Sequence, residues 1–248
     1  MIFKNKGYIG PFEMIDKNDG KRKLAQFVEA LSGHERIIGP IEGSTWHNYR
    51  LVSYSDGSPI FPMEPQNHLW YNNVYKEIGF EPLKKYYSER FTINQVKPYR
   101  KSNIVIIRYF KFNDLPNFYN ISKVGFTNNF LYEPISYEEF EQLYVPQIKK
   151  ISHDFILVAE INGKAVGFLF AFVYNGELIL KTLATLPDYR TAGVGGRLIN
   201  TALVKAKTMG INSAVSALTA EDNNSRKVSA KYGGHIFREY TLYILKRK

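Results

Sequence analysis

Cysteine is absent from the 248-residue chain. Disulfide bonds, thiolate metal sites and cysteine nucleophiles are therefore excluded. Long hydrophobic runs are missing as well, since the longest one, residues 168–174, is much shorter than the roughly 20 residues that a membrane-spanning helix needs. Residues 1–7 lack the continuous apolar stretch of a secretory signal peptide. The sequence alone predicts a soluble, cytoplasmic protein with no membrane partner.

Metal-binding patterns are not found in the sequence either. The five histidines are scattered along the chain, without the short spacings that place two ligands on one metal ion. They are His34, His47, His68, His153 and His235. We predict no metal site.

The composition is that of a globular protein. With 44% hydrophobic and 23% charged residues, the chain can bury one large core or two, each in a domain of about 100–150 residues. The formal net charge of +10 favours anionic partners. The basic residues are scattered rather than clustered, so we expect a solvated, lysine-rich surface and do not expect a nucleic-acid partner.

The chain from residue 104 onward has a clear order of predicted elements, with Asn-Gly turns at 162–163 and 175–176 joining three strands into a meander. The elements are a strand over 104–110, helices over 114–124 and 137–151, strands over 155–161, 165–174 and 177–185, a helix over 194–209, a strand over 213–219, a short helix ending at 233 and a strand over 236–245. This order predicts an α/β (α+β) fold, in which a mixed central sheet is flanked by helices on both faces.

The N-terminal part, residues 1–100, ends in the same way as residues 104–248: a short helix, a glycine stop and an aromatic-rich strand. The two endings are Gly79–Tyr87 and Gly234–Tyr243. We interpret them as a weak internal repeat with a linker at 92–103, which predicts two domains, 1–100 and 104–248. The predicted elements of the first are strands over 8–15, 35–42 and 80–91 and helices over 22–31 and 68–78.

Three glycines, Gly193, Gly195 and Gly196, lie between the end of a predicted strand and the start of a predicted helix. The first N–H groups of a helix have no intrahelical partner, and the helix dipole makes this end positive. Glycines let a bulky anion approach the backbone, and Arg190 and Arg197 add positive charge. These residues favour a pyrophosphate site, with a plain tight turn as the alternative. Neither the nucleoside-triphosphate loop nor the dinucleotide loop motif is present.

The surroundings of these glycines resemble a known family. The motif Arg190-x-x-Gly193-x-Gly195, preceded by Leu183-Ala-Thr-Leu-Pro-Asp-Tyr189, is similar to the acetyl-CoA signature of the GCN5-related N-acetyltransferase (GNAT) superfamily. Residues 222–234 resemble its asparagine-rich last helix, and the likeness extends over 104–248 in element order. The resemblance implies a GNAT fold, preceded by a smaller, degenerate GNAT-like domain that lacks the phosphate loop.

The resemblance also implies which residues hold acetyl-CoA as co-substrate. The pyrophosphate would lie on the backbone of the glycine loop, the pantetheine arm along the preceding strand, and an asparagine of the last helix beside that arm. The residues concerned are Leu183, Ala184, Thr185, Arg190, Thr191, Ala192, Gly193, Val194, Gly195, Gly196 and Asn223. An N–H group of the strand would polarise the thioester carbonyl.

The catalytic residues are less well defined by this resemblance. The family's usual acid, a tyrosine of the last helix, is replaced by Ala230, and Tyr232 lies two residues further on, about 200° round the helix. Glu177 is our candidate for the general base because of its position on the strand before the loop. Glu160 and Asp188 are alternatives, and deprotonation through water needs no carboxylate.

These observations predict an acetyl-CoA-dependent N-acetyltransferase that acts on a small-molecule or peptide amine by direct transfer in a ternary complex. The acceptor pocket would be built from residues 113–151 and 236–245, and residues of both parts would line it if the N-terminal part packs over that region. One alternative is a tRNA-dependent aminoacyl transferase of the tandem type, which the intact coenzyme loop disfavours. Another is a non-catalytic coenzyme-A-binding module, which Ala230 favours.

Overall fold

The computed structural model describes residues 1–223 and 225–247. Its strands join into one mixed sheet. They are β1 (Ile2–Phe3), β2 (Tyr8–Ile9), β3 (Arg36–Gly39), β4 (Leu51–Ser55), β5 (Glu81–Thr92), β6 (Ile106–Tyr109), β7 (Ile156–Ile161), β8 (Lys164–Tyr174), β9 (Glu177–Thr185), β10 (Ser213–Ala220) and β11 (His235–Lys246).

Helices cover both faces of this sheet. They are α1 (Lys17–Ala30), α2 (Tyr71–Glu77), α3 (Leu115–Gly125), α4 (Tyr137–Lys150), α5 (Val194–Thr208) and α6 (Arg226–Lys231). Three short 3₁₀ helices, Phe112–Asp114, His153–Phe155 and Pro187–Ala192, connect them to strands. Among the residues that the structure describes, no helix is both long and apolar enough to cross a membrane.

The alternation of side chains along β8 explains the two helical layers. Phe168, Phe170 and Phe172 point to one face and join the core that contains α3 and α4. Leu169 and Ala171 point to the other face and join the core that contains α5. Because successive side chains of a strand point to opposite faces, a continuous apolar strand is buried on both. Burying each large apolar side chain contributes about 1.5–3 kcal/mol, so β8 anchors both layers.

Local chemistry fixes several element ends that the sequence predicted. The Ser136 hydroxyl accepts a hydrogen bond from the Glu139 N–H (3.1 Å) and caps α4. Both residues of the turn Asn162-Gly163 have positive φ, as a tight hairpin between β7 and β8 requires. Gly210 follows α5 with a φ of +78° and ends it.

Two predictions in the N-terminal part were wrong in extent. The strand predicted over 8–15 is limited to β2, because Pro11 cannot donate to a ladder and Met14 instead donates its N–H to the Tyr71 hydroxyl (2.9 Å). The helix predicted over 22–31 begins at Lys17, because Asp16 accepts a hydrogen bond from the Asp19 N–H (2.9 Å) and caps α1 there. Strand β4 was not predicted.

The two parts of the chain share one sheet, in which strands of each part pair with strands of the other. The order is β1-β2-β3-β11-β5-β10-β9-β8-β7-β6, with β4 paired to β11. Strand β5 of the N-terminal part therefore lies between β10 and β11 of the C-terminal part, and β11 continues on to pair with β3. The division into domains 1–100 and 104–248 stays a prediction, and the structure adds that the two segments share one sheet.

Candidate active site

The central strands β9 and β10 are paired over only part of their length. Their parallel ladder joins Glu177–Leu180 to Ser213–Ser216 and ends there. Strand β9 continues to Thr185, and within the described chain residues 181–185 have no strand partner on the β10 side. At the point of separation β9 bulges, since Leu180 and Thr182 oppose successive residues of β8 and leave Lys181 unpaired.

Strand β10 turns away from β9 and towards β5. Its Leu218 has a φ of +57°, which is uncommon for a residue with a side chain, and it interrupts the ladder with β5 between Ser216 and Thr219. Beyond this irregularity, among the residues that the structure describes, Thr219 and Ala220 pair with β5 and no longer with β9. The divergence opens a cleft between β9 and β10, and one wall of this cleft is the free edge of β9.

The glycine loop lies at the open end of this cleft. After Thr185 the chain forms the 3₁₀ helix Pro187–Ala192, passes through Gly193 in the left-handed region (φ +71°) and enters α5. A Cβ on Gly195 would lie 3.3 Å from Leu183 Cδ2, and a Cβ on Gly167 would lie 2.8 Å from Val194 Cγ1. The start of α5 therefore packs closely on β8 and β9, which places the first N–H groups of the helix next to the end of the β9 edge.

Two arginines hold the loop against the surrounding chain. Arg190 donates from Nη2 to the Gly125 carbonyl at the end of α3 (2.8 Å). Arg197 donates from Nη1 to the Arg100 carbonyl (2.9 Å). Both side chains thus have a structural contact and still leave positive charge at the α5 N-terminus, where the helix dipole has the same sign.

Glu177, the predicted general base, is far along β9 from the glycine loop. It is the first residue of the strand, whereas the loop follows the last one. Arg90 donates to both of its carboxylate oxygens, from Nε (2.8 Å) and Nη2 (3.1 Å), and the Ser213 hydroxyl donates to Oε1 (2.6 Å). Glu177 also lines a cavity of about 230 Å³ together with Phe237. These contacts tie β5, β9 and β10 together, and the role of Glu177 as a base stays a prediction.

Tyr232 and Asn223, the other predicted site residues outside the loop, make local contacts. The Tyr232 ring stacks on Phe91 of β5, with the ring centroids 5.8 Å apart and the planes 13° from parallel. The Asn223 side chain accepts a hydrogen bond from the Ser225 N–H (2.8 Å) just before α6. The structure thus brings the loop and strand residues together, and the contacts of these two residues are with their own neighbourhood, before α6 and on β5. Their predicted roles stay predictions.

Lys181 is the charged residue at the bulge of β9. The sequence alone did not lead us to predict a role for it. Its side chain is half-buried. Burial and the nearby positive charge of Arg50 lower the pKa of Lys181 to about 8, while the charge of Glu64 acts in the opposite direction. A lysine within the otherwise apolar stretch 178–184 is the sequence signal that could have identified it.

A buried polar network lies beside the cleft and joins both parts of the chain. Glu64 accepts hydrogen bonds from Arg238 Nη1 (2.5 Å) and from the Tyr240 hydroxyl. The Tyr240 hydroxyl is also 2.8 Å from the Ser88 hydroxyl, which accepts the Leu218 N–H (3.2 Å) where β10 turns away. Burial, with the neighbouring charge of Glu64, raises the pKa of Tyr240. The network stabilises the diverged path of β10.

Arg50 lies next to this network and is 7% exposed. Its guanidinium carbon is over the rings of Tyr49 (4.2 Å to the centroid), Tyr86 (4.3 Å) and Tyr240 (5.4 Å). Within the described residues, its Nε and Nη1 are buried and have no hydrogen-bond partner. Arg50 lies in a loop, so no periodic pattern of the sequence indicates its burial.

The N-terminal part packs over the region predicted to form the acceptor pocket. The Trp46 ring packs edge-on against Phe140 of α4 (5.9 Å between centroids), and its Nε1 donates to the Glu133 carbonyl (2.8 Å). His47 Nε2 lies 2.8 Å from Glu139 Oε1 of the same helix. Residues 46–50 therefore connect α4 to Arg50 and to the rings of Tyr49, Tyr86 and Tyr240, which together form the aromatic cage around it.

Comparisons with known proteins agree with this geometry. Residues 116–233 match the acetyltransferase (GNAT) family. An uncharacterised N-acetyltransferase, YjhQ, of Escherichia coli (strain K12) is 40% identical over 62 residues, which are 22% of this chain and 34% of that protein. The chain thus covers about a third of this curated relative.

Solved structures share the fold at low sequence identity. A GCN5-related N-acetyltransferase from Sphaerobacter thermophilus matches with a TM-score of 0.56 and 16% identity, over 71% of this chain and 55% of that one. A tandem GNAT protein from the clavulanic acid biosynthesis pathway matches with a TM-score of 0.56 and 10% identity, over 94% of this chain and 71% of that one. This second match includes both parts of the chain.

Proposed function

We propose that the chain, whose residues 116–233 match the acetyltransferase (GNAT) family, transfers an acetyl group from acetyl-CoA directly to a primary amine. The observation that carries the proposal is the glycine loop at the open end of the β9 edge. An anion-binding helix start next to an unpaired strand edge suits a ligand with a pyrophosphate at one end and amide groups along its arm.

The described residues fit such a ligand. The backbone N–H groups of Thr191–Gly196 would bind the pyrophosphate, because Gly195 and Gly196 present no side chain and Gly193 supplies the left-handed turn. The free edge of Leu183–Thr185 would pair with the amides of the pantetheine arm as an added strand does. When bound, acetyl-CoA supplies an activated thioester at the end of that arm.

The chain's own groups would position and polarise the reacting atoms. Near the bulge, a β9 N–H would donate to the thioester carbonyl oxygen and stabilise the negative charge that grows there as the amine attacks. The amine nitrogen forms a bond to the carbonyl carbon, the carbon–sulfur bond breaks, and the amine loses one proton. Holding the two substrates together in the cleft lowers the entropic part of the barrier.

Water is our proposed carrier of the protons in this reaction. Both oxygens of Glu177 already accept hydrogen bonds, and the Tyr232 ring stacks on Phe91 away from the bulge. Ala230 is exposed and has no group that donates a proton. The cleft is open to solvent at the loop, so deprotonation of the amine and protonation of the thiolate proceed through water.

Calorimetric titration with acetyl-CoA tests the proposed site, with Gly196→Glu as the variant. A Cβ at Gly196 meets only the Tyr99 ring at 3.7 Å, and an acidic residue in the first helical turn is favourable for the helix. We therefore expect unchanged thermal stability and binding reduced at least about 100-fold by repulsion of the pyrophosphate. Gly33→Glu is the matched control, since that glycine has an open surrounding in the N-terminal part. Undiminished affinity of Gly196→Glu would refute the site.

A non-catalytic acetyl-CoA-binding module is the second candidate, and exposed Ala230 is the observation that favours it. Acetyl transfer to a panel of amines, followed by release of free thiol, separates the two. Turnover with any acceptor supports the enzyme. Binding without turnover across the panel would favour the module, and failure to bind acetyl-CoA would rule out both.

A further inference from the structure

We propose that the guanidinium of Arg50 binds a carboxylate of the acceptor, so that the substrate is an amine that also carries a carboxylate group. This inference rests on the proposed function and extends it to the substrate class. It places the acceptor between the two parts of the chain, in the space beside the β9 bulge.

The first observation is that Arg50 is buried but not satisfied. Its Nε and Nη1 have no hydrogen-bond partner within the described residues. The rings of Tyr49, Tyr86 and Tyr240 stabilise the positive charge through their faces, but they do not accept the in-plane N–H groups. A buried donor without a partner is costly, so the site favours a ligand that supplies an acceptor oxygen.

The second observation is the charge balance around Arg50. Two carboxylates act on this site, and both are already paired: Glu64 with Arg238 in a fully buried ion pair, and Asp222, whose charge reaches Tyr86, with Lys84. Lys181 adds a second cation, and the repulsion from Arg50 is one of the causes that disfavour its charged form. The site therefore holds uncompensated positive charge, which an anionic ligand would neutralise.

The third observation is the position of the cage relative to the cleft. Leu218 and Ala220, on the part of β10 that has diverged from β9, pack against the cluster of Val52, Tyr86 and Tyr240. Lys181 lies at the bulge, and the positive charge of Arg50 contributes to lowering its pKa. The cage around Arg50 therefore lies against the diverged part of β10, across the cleft from the free edge of β9 where the thioester would lie.

The backbone of Arg50 is also held in an uncommon conformation, with a φ of +67°. Such strain in a residue with a side chain is concentrated at functional sites. A carboxylate fits the cage better than a phosphate dianion, because it is a planar group of a single charge that matches in-plane guanidinium donors and is less costly to bury.

The test compares acceptors with and without the carboxylate. Acetyl transfer is measured for L-amino acids and ω-amino acids, each against its own carboxamide, with the wild-type chain, Arg50→Gln and Arg50→Lys. We expect the wild type to prefer the carboxylate by about 10- to 100-fold in kcat/KM, mostly through KM. Arg50→Gln should abolish this preference, and Arg50→Lys should restore part of it because it keeps the charge.

Controls separate binding from folding. Thermal unfolding and acetyl-CoA titration of each variant show whether the fold and the coenzyme site are intact, and Arg36→Gln removes an exposed arginine from the same part of the chain. If Arg50→Gln does not fold, Arg50→Lys carries the comparison. Equal turnover of acids and amides by the wild type, or an unchanged preference in both Arg50 variants, would overturn the inference and leave the proposed function standing.

A direct readout covers the case in which the chain is not an acetyltransferase. The ¹⁵N resonance of Arg50 Nε, assigned by its loss in Arg50→Lys, is followed during titration with propionate and with propionamide. A saturable shift with propionate alone supports the anion site even without turnover. No shift with either compound overturns the site.

Discussion

Lys181 is a charged side chain in a position where burial and the charge of Arg50 disfavour its charged form. It interrupts an apolar strand at the bulge, and its pKa of about 8 reflects the energetic cost of holding a cation beside Arg50 in a half-buried position. Because side chains with a strongly perturbed pKa cluster at functional sites, this cost makes Lys181 a candidate functional residue.

This cost gives a first prediction, on the pH dependence of stability. The unfolded chain binds the Lys181 proton with the ordinary pKa of 10.5 and the folded chain with a pKa of about 8. The unfolded state therefore binds more protons between these values, and stability rises with pH across that window. Lys181→Met should remove the rise and increase the free energy of unfolding at pH 7 by up to about 3 kcal/mol.

Urea unfolding at pH 7, 8 and 10 measures this effect. Lys227→Met, at an exposed position of α6, is the control and should leave the slope unchanged. The assigned environment of Lys181 is wrong if the wild type and Lys181→Met show parallel pH profiles.

At the scale of elements, α6 depends on a single carboxylate of β5. Glu89 is 6% exposed and accepts hydrogen bonds from Ser229 Oγ (2.6 Å) and Arg226 Nη2 (2.7 Å). The short helix has few other polar ties to the sheet, and the Tyr232 ring that follows it packs on the same strand. Strand β5 therefore positions the segment next to the cleft.

The second prediction follows from this dependence. Glu89→Gln removes the charge that both donors of α6 approach, so we expect a loss of about 1–3 kcal/mol in the free energy of unfolding. Glu81→Gln makes the same change at an exposed position of the same strand and should cost almost nothing. Denaturant unfolding of the two variants side by side provides the measurement, and equal midpoints would show that Glu89 does not hold α6.

A third prediction concerns Glu177, the proposed base from the sequence. Its bidentate contact with Arg90 and its bond from Ser213 join three strands. Glu177→Gln should therefore lower stability by about 1–3 kcal/mol and leave kcat within a factor of a few of the wild type. Measuring both quantities on one preparation distinguishes the roles, because a general base would lose at least about 100-fold in kcat with little change in stability.

The elements of the C-terminal part could be predicted because their signals are local. The apolar stripe of α5, formed by residues such as Leu198, Ala202 and Ala206, is buried as its 3.6-residue period indicates. The two Asn-Gly turns, at 162–163 and 175–176, likewise predicted that β7, β8 and β9 form a meander.

The site could be predicted only in the part that is contiguous in sequence. The glycine loop and the predicted part of the β9 edge lie within residues 183–196. Arg50, Glu64 and Arg238, by contrast, come together because strands β5 and β11 of the two parts pair in one sheet. No short-range pattern of the sequence indicates that pairing. The contacts of Glu177 with Arg90 were hidden for the same reason.

At the scale of the whole molecule, the shared sheet makes the two parts interdependent. Without residues 1–103, β10 would lose its neighbour β5 and β11 would lose β3, β4 and β5. One unpaired edge on β10, two on β11 and a divided core would leave the remaining chain without a stable sheet. The mixed sheet with helices on both faces is thus a joint product of the two parts.

The fourth prediction is that the chain unfolds in one step. Calorimetry should give a single transition with equal calorimetric and van't Hoff enthalpies. A protease site inserted at the exposed linker position Lys101 should allow cleavage without separation, so that both fragments elute together and part only in denaturant. Two independent transitions, or fragments that separate in buffer, would show that the shared strands do not couple the two parts.

The free edge of β9 has a consequence for aggregation. An unpaired strand edge on a protein surface is a template on which other chains add. Here the edge of residues 181–185 faces an internal cleft, with β10 opposite and the start of α5 across its open end. The free edge belongs to a strand inside the sheet, with β8 on one side and β10 on the other, and not to an outermost strand. The divergence of β10 therefore leaves an edge available to a ligand without adding a full-length free edge at the border of the sheet.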